Sequence, residues 1–576
     1  MTENEIETIG DLFKKSLPIK IPAYQRAYSW DRDHCKQYLQ DLKEQKHQYY
    51  LGQFLFETDE EHWYIIDGQQ RLTTTVLFMA AIAKSEQDKH EPIEGIKFKY
   101  LSNKFSTIED DKNVFEEIIL NFNTKNIAAN TNSQRNLKQA FEFFYKEIKN
   151  YYVEDLNKLK DTLENANIGT FFIKNKIEAT QIFEYQNNRG VKPSQFELIK
   201  AYLMNRIYLV DKDEKSCNEI VNEIQKKVSD IYRSVEASKN RFSEDTLLDI
   251  YCNLAYDIDG DIDHIKEHIN QEVSDNTNDD DNDENSSVTE DRKFNELIRA
   301  EFQNNQIGWI KSFFNNFSEL CKNAEQLDKD ITENVYLSNL FLLSSKLSWR
   351  LLLLSLWSCG LNKGSELNRV LKYLEIICFK FSLTRRTKDE LYPFSLDIYK
   401  KNVDLKKILE TTKKWAEDGF GVNWGDFQKS IKTYCESGDH YNHDAKATKY
   451  ILWQYDNKLK GKGQPVNQKT DKNYAGYTIE HIYPETPNDN NKDFLDEKYI
   501  HYLGNLALLT QSENSKNSNK SFNDKKTLYK NYTDSGKLLM YNEILANDKW
   551  GRNSMLERHR KLVGFIQNYF DWQKVK

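Results

Sequence analysis

Cysteine is scarce and scattered. The seven, at positions 35, 217, 252, 321, 359, 378 and 435, form no CxxC pair. That excludes a disulfide framework and a cysteine-bound structural zinc, and points to a reducing, cytoplasmic setting. Long apolar runs are missing too. The best, Leu351 to Trp357, is far too short to span a bilayer. The acidic start Met1-Thr2-Glu3-Asn4-Glu5 is not a signal peptide, and no membrane partner is expected. Positive charge is not in excess. A net charge of −9 excludes a protein that coats nucleic acid by bulk charge. No GxxxxGK[ST] occurs, so any phosphate site is not of the Walker type.

What remains is a soluble, globular composition of 576 residues, long enough for three or more domains. The patterning predicts a multidomain α+β chain, predominantly helical. Residues 1–235 mix strand and helix signals. Phe54 to Glu57 and Trp63 to Ile66 read as strands around Thr58-Asp59-Glu60-Glu61, followed by a helix over Leu72 to Ala83. Ser133 to Leu163 is helical by period. Residues 236–440 form a helical middle, with buried helices over Leu337 to Leu356 and Leu367 to Phe381. Within it, 271–291 holds nine acids and neither Lys, Arg nor Gly, so it reads as a solvated acidic loop rather than a Ca²⁺ site. Residues 441–576 carry the richest motif.

That motif is Ile479-Glu480-His481-Ile482-Tyr483-Pro484, then Gly504-Asn505-Leu506-Ala507-Leu508-Leu509, then Ser512-Glu513-Asn514-Ser515-Lys516. Tyr477 to Tyr483 and Leu503 to Thr510 read as strands, and Ser512 to Lys530 as a helix or broken helix capped by Ser512. A helix crossing both strands brings Glu480, His481 and Asn514 together. A neutral histidine can accept a proton near neutrality. A carboxylate with an amide oxygen suits Mg²⁺ better than Zn²⁺. From Asn514 to Lys530, five lysines against Asp524 give a local charge of +4. Lys516 and Lys520 are the candidate DNA contacts. His501 and His559 read as surface histidines.

The stretch Tyr477 to Lys526 resembles the HNH, or ββα-metal, nuclease family. The variant has E-H-I-x-P, G-N-L-x-L-L and N-S-x-x-S followed by a Phe, here Phe522. The resemblance implies His481 as general base, Glu480 and Asn514 as ligands of Mg²⁺ or Mn²⁺, and Asn505 as the residue that holds the loop and orients His481. Glu480 stands where many members have Asp.

At the other end, Ile65-Ile66-Asp67-Gly68-Gln69-Gln70-Arg71-Leu72 links a strand to a helix. Gly68 permits a sharp turn, and the free amides of the first helical turn favour an anion. Arg71 adds a cation suited to phosphate, and Gln69 and Gln70 neutral donors. Gln25 and Arg26 lie among aromatics in Tyr24-Gln25-Arg26-Ala27-Tyr28-Ser29-Trp30. Asn187, Arg189 and Gly190 precede a helix containing Phe196 to Lys200. The three segments resemble the DGQQR family, with its ParB-like α/β N-terminal domain. That domain is fused to the nuclease variant above in GmrSD-type, modification-dependent (type IV) restriction enzymes and related phage-defence proteins. The resemblance implies binding and hydrolysis of a nucleoside triphosphate centred on Asp67 to Arg71. Gln25, Arg26, Asn187 and Arg189 belong to lesser motifs of that site.

The expected function is a nucleotide-regulated, metal-dependent endonuclease acting on modified or phage-derived DNA. The alternatives are a nucleotide-dependent DNA-binding or signalling protein with a vestigial nuclease module, and an RNA-directed nuclease. A homo-oligomer is compatible with the sequence and not specified by it.

Overall fold

A computed structural model of the chain describes residues 4–22, 25–44, 49–58, 60–89, 104–125, 127–173, 194–211, 213–238, 241–258, 260, 265, 304–343, 347–384, 391–419, 425–461, 474–487 and 495–575. The acidic 271–291 segment therefore lies outside the described residues, as do Asn187 and Arg189. The chain divides into two compact units, Met1–Lys322 and Asn323–Lys576. The division falls inside the helix Gln306–Glu333, so the helical middle of 236–440 contributes to both. No helix among the described residues is long and apolar enough to cross a membrane.

The first unit is built on a mixed six-stranded sheet in the order β1-β6-β3-β4-β2-β5. Its strands are β1 (Asn4–Thr8), β2 (Ile19–Lys20), β3 (Tyr50–Thr58), β4 (Trp63–Asp67), β5 (Phe105–Ser106) and β6 (Asn167–Ile173). β3 runs antiparallel to β4 and parallel to β6. The helix that follows β4 spans Gln69–Asp88, longer at both ends than its apolar period suggests. It is buried nearly all round, because helices Arg32–Glu44, Asn132–Ile148 and Val153–Glu164 cover it. The stretch expected as one helix over Ser133 to Leu163 is thus two. Thr131 caps the first, its hydroxyl accepting from the Gln134 amide at 3.2 Å.

The second unit is helical around one two-stranded sheet. Helix Ser365–Thr384 is central, with Phe379 stacked on Phe570 at 3.8 Å. β7 (Tyr477–His481) pairs antiparallel with β8 (Leu506–Thr510), His481 opposite Leu506. Both strands are shorter than the sequence suggests. β7 stops at His481 because the next two amides turn away: Ile482 donates to the Asn505 carbonyl at 2.9 Å and Tyr483 to its Oδ1 at 2.9 Å. Leu503 to Asn505 form a 3₁₀ turn, not strand. The helix after β8 is broken into Gln511–Asn517 and Phe522–Asp534. Ser512 lies inside the first and caps nothing. The cap is Ser521, at the start of the second helix.

Candidate nuclease and nucleotide sites

At the C-terminal motif, Asn505 is the organising side chain. It is fully buried and uses all four hydrogen-bonding positions of its amide. Oδ1 accepts from Tyr483 N and, at 3.0 Å, from Trp550 Nε1. Nδ2 donates to Tyr483 O at 3.0 Å and Ile500 O at 2.8 Å. The backbone around it is fixed from behind by Arg558 on helix Arg552–Tyr569. Its Nη1 donates to the carbonyls of Gly504 at 2.9 Å and Leu506 at 2.7 Å. That helix lies so close that a Cβ on Gly504 would fall 2.1 Å from Met555 O.

Successive residues on a strand face opposite ways, and β7 sends its two candidates apart. Glu480, 1% exposed, faces the helix Phe522–Asp534. There Lys525 Nζ lies 2.7 Å from Oε1, and Tyr529 donates to the same oxygen at 2.9 Å. Burial pushes the Glu480 carboxyl up, opposed by the Lys525 ammonium. Burial pushes Lys525 down. His481, 9% exposed, faces the other way. Its ring meets Tyr441 edge-on at 4.7 Å, and its Nε2 lies 3.1 Å from His501 Nδ1. Burial first, then His501 and Lys525, push its pKa down to about 3. Asn514 donates from Nδ2 to Thr478 Oγ1 at 2.9 Å and Ile479 O at 2.8 Å, and so anchors helix Gln511–Asn517 to β7. Lys516 and Lys520 are exposed.

A divalent cation needs several oxygen or nitrogen donors around one point. No group of three or more His, Cys, Asp or Glu able to hold a metal occurs among the described residues. Glu480 is held by an ammonium, and a second cation on the same carboxylate would have to displace it. As arranged, Glu480 and Asn514 do not fit a shared cation.

In the first unit, Gly68 carries φ 91°, and a Cβ there would lie 2.6 Å from the Phe54 ring. No side chain caps the helix that begins at Gln69. Gln70 is spent on the preceding loop: Oε1 accepts from Ser29 N at 2.9 Å and Nε2 donates to Ala27 O at 3.1 Å. Arg71 reaches back to β3, donating to Leu51 O at 3.1 Å and Gln53 O at 2.8 Å. It lies 3.7 Å from Asp67 Oδ2 and over the Phe54 ring. It passes so close to Gly52 that a Cβ there would meet Nη1 at 1.8 Å. Gln25 donates to Ile66 O at 2.7 Å, one residue before the turn. Arg26 is half-buried on the same loop. The buried oxygens Gln25 Oε1 and Gln69 Oε1 find no donor among the described residues.

A family model described as GmrSD restriction endonuclease, N-terminal domain, matches residues 9–204. A second, described as GmrSD restriction endonucleases, C-terminal domain, matches residues 426–565. This chain belongs to the GmrSD restriction endonuclease family. No curated protein matches it. The two GmrSD matches enclose both sites: the first contains Asp67 to Arg71, the second Glu480 to Lys520 and the clamp residue Arg558.

Several contributors to these GmrSD sites are not legible in the motifs. His501 is no surface histidine; it is the hydrogen-bond partner of His481. His559 is likewise half-buried, its ring tilted against Tyr502, and burial lowers its pKa. Lys525, Trp550 and Arg558 belong to no motif. Lys200, 1% exposed, donates to Gln25 O at 3.0 Å, and burial pushes its pKa down to about 8. Its one sequence signal is a lone lysine amid Ile199, Ala201, Leu203 and Met204.

Proposed function

We propose that this restriction endonuclease cuts foreign or modified DNA with His481 as the general base, under control of a nucleoside triphosphate bound at the Gly68 turn. The observation that carries the reading is the Asn505-held turn. It stops β7 at His481 and so fixes, at the strand end, the backbone that carries the imidazole. In this reading burial keeps the imidazole neutral in the free protein, the anionic phosphate raises its basicity on binding, and it takes a proton from water as the water oxygen attacks phosphorus and the P–O bond to the leaving oxygen breaks. Lys516 and Lys520 offer charge to the backbone phosphates. Mg²⁺ or Mn²⁺ is the cation the HNH resemblance implies. Since Glu480 is committed to Lys525, no step is assigned to it.

The test is a cleavage panel: unmodified, methylated, glucosylated-hydroxymethyl and phosphorothioate DNA, each with and without nucleotides and with Mg²⁺ or Mn²⁺. Cutting of at least one modified substrate is expected, abolished by His481→Ala, with a nucleotide response lost in Asp67→Ala. His481→Ala cutting as fast as the parent defeats the reading. The buried Glu480–Lys525 pair favours one competitor, a nucleotide-dependent DNA-binding protein whose nuclease module no longer cuts. Binding of modified DNA with no cleavage under any cation would establish it.

A further inference from the structure

We propose that His501 is a positioning residue that sets the tautomer of His481 and so decides which of its nitrogens is the base. The inference rests on the reading of His481 given above. A neutral imidazole has one N–H and one lone pair, and the bond made by one nitrogen dictates the state of the other. The 3.1 Å approach of His481 Nε2 to His501 Nδ1 requires one ring to donate and the other to accept. The far side of His501 decides which. Its Nε2 lies 3.8 Å from Glu485 Oε1, too long for a hydrogen bond, but close enough for the carboxylate to favour an N–H on that nitrogen. A neutral His501 protonated at Nε2 keeps its lone pair on Nδ1. It therefore accepts, and His481 donates from Nε2. The lone pair of His481 is left on Nδ1, the nitrogen available to a water.

Both rings are held in place for this. Tyr441 stacks on His501 at 5.6 Å with an interplanar angle of 14°, and meets His481 edge-on. The amide of His440 donates to the His501 carbonyl at 3.0 Å. Tyr441 and His440 both sit on the short helix His440–His443, capped by Asp439, whose side chain accepts from Asn442 N. One element thus fixes His501 through both backbone and ring.

The test uses the full-length protein with the modified DNA it cuts, plus ¹⁵N-histidine NMR, which needs no cleavage. His501→Ala is expected to lower kcat by about 10- to 100-fold, as loss of a partner that orients a reacting imidazole does, with KM and DNA binding unchanged. His501→Asn, whose Oδ1 can accept where Nδ1 did, should recover most of the rate. The ¹⁵N shifts of His481 should report the Nε2–H form in the parent and in His501→Asn, and a mixture in His501→Ala. Parent rate in His501→Ala, with His481→Ala inactive, overturns the inference and leaves the base assignment standing. Equal loss in His501→Ala and His501→Asn with an unchanged His481 tautomer overturns it as well, since that is the mark of a residue that only fills space. If His481→Ala still cuts, the base assignment fails and the inference with it.

Discussion

Two buried lysines show how differently a charge can be carried inside one protein. Lys525 has a carboxylate 2.7 Å away. Lys200 donates to the Gln25 carbonyl, with the Glu197 and Asp110 charges acting at longer range. Removing one member of a buried pair leaves the other uncompensated, so Lys525→Met should cost about 3–5 kcal/mol, read as a lower denaturant midpoint. Lys200 behaves in the opposite sense. Its folded pKa of about 8 lies below the ordinary 10.5. Between those values the unfolded chain holds a proton that the folded one has released, so stability rises with pH across that window. Below pH 8 the full penalty applies, about 3 kcal/mol at 1.36 kcal/mol per pH unit. Lys200→Met removes that penalty but leaves the Gln25 carbonyl without its donor, at a cost of about 1–2 kcal/mol. The variant should be more stable than the parent at pH 7, and its melting temperature should rise less than the parent's between pH 8 and 10.5, where Lys380, also pushed down to about 8, still titrates.

Elements were legible where pattern is local. The aromatic and β-branched run of Trp63 to Ile66 and the apolar run after Gly68 mark β4 and the helix Gln69–Asp88 directly. Boundaries were not, because distant partners set them. β7 ends where Asn505 captures the next amides, 22 residues away in sequence for Tyr483. The same holds for the sites. The Glu-His pair, Asn505 and the Asp67 to Arg71 run are visible in the chain as written. That Glu480 faces Lys525 while His481 faces His501 follows from strand alternation, but the partners come from other elements and leave no local trace. The packing of helix Arg552–Tyr569 on the 3₁₀ turn is the tightest such dependence. Gly504→Ala puts a methyl into the Met555 carbonyl, so helix and turn must separate. The expected cost is about 1–3 kcal/mol, with cleavage falling alongside as Asn505 shifts. Unchanged melting and activity would show that the helix can retreat freely.

At the scale of the whole molecule, a net charge of −9 works against any polyanion, so DNA affinity must come from a local surface. The segment after β8 is the cationic one, with Lys516 and Lys520 exposed. Replacing both by Glu should weaken binding of modified and plain DNA alike, and reduce the slope of log affinity against log salt by about 2. Loss confined to one modified substrate would instead place these lysines in recognition of the modification. The sheet-based first unit and the helical second unit are each compact.

Arg558 has a practical consequence for anyone shortening the gene. A truncation that stops upstream of it strips the guanidinium from the Gly504 and Leu506 carbonyls, although every motif residue from Glu480 to Asn514 is still encoded. Such a product would make a misleading inactive control: its silence would report a collapsed scaffold, whereas a point change at His481 tests the proposed base.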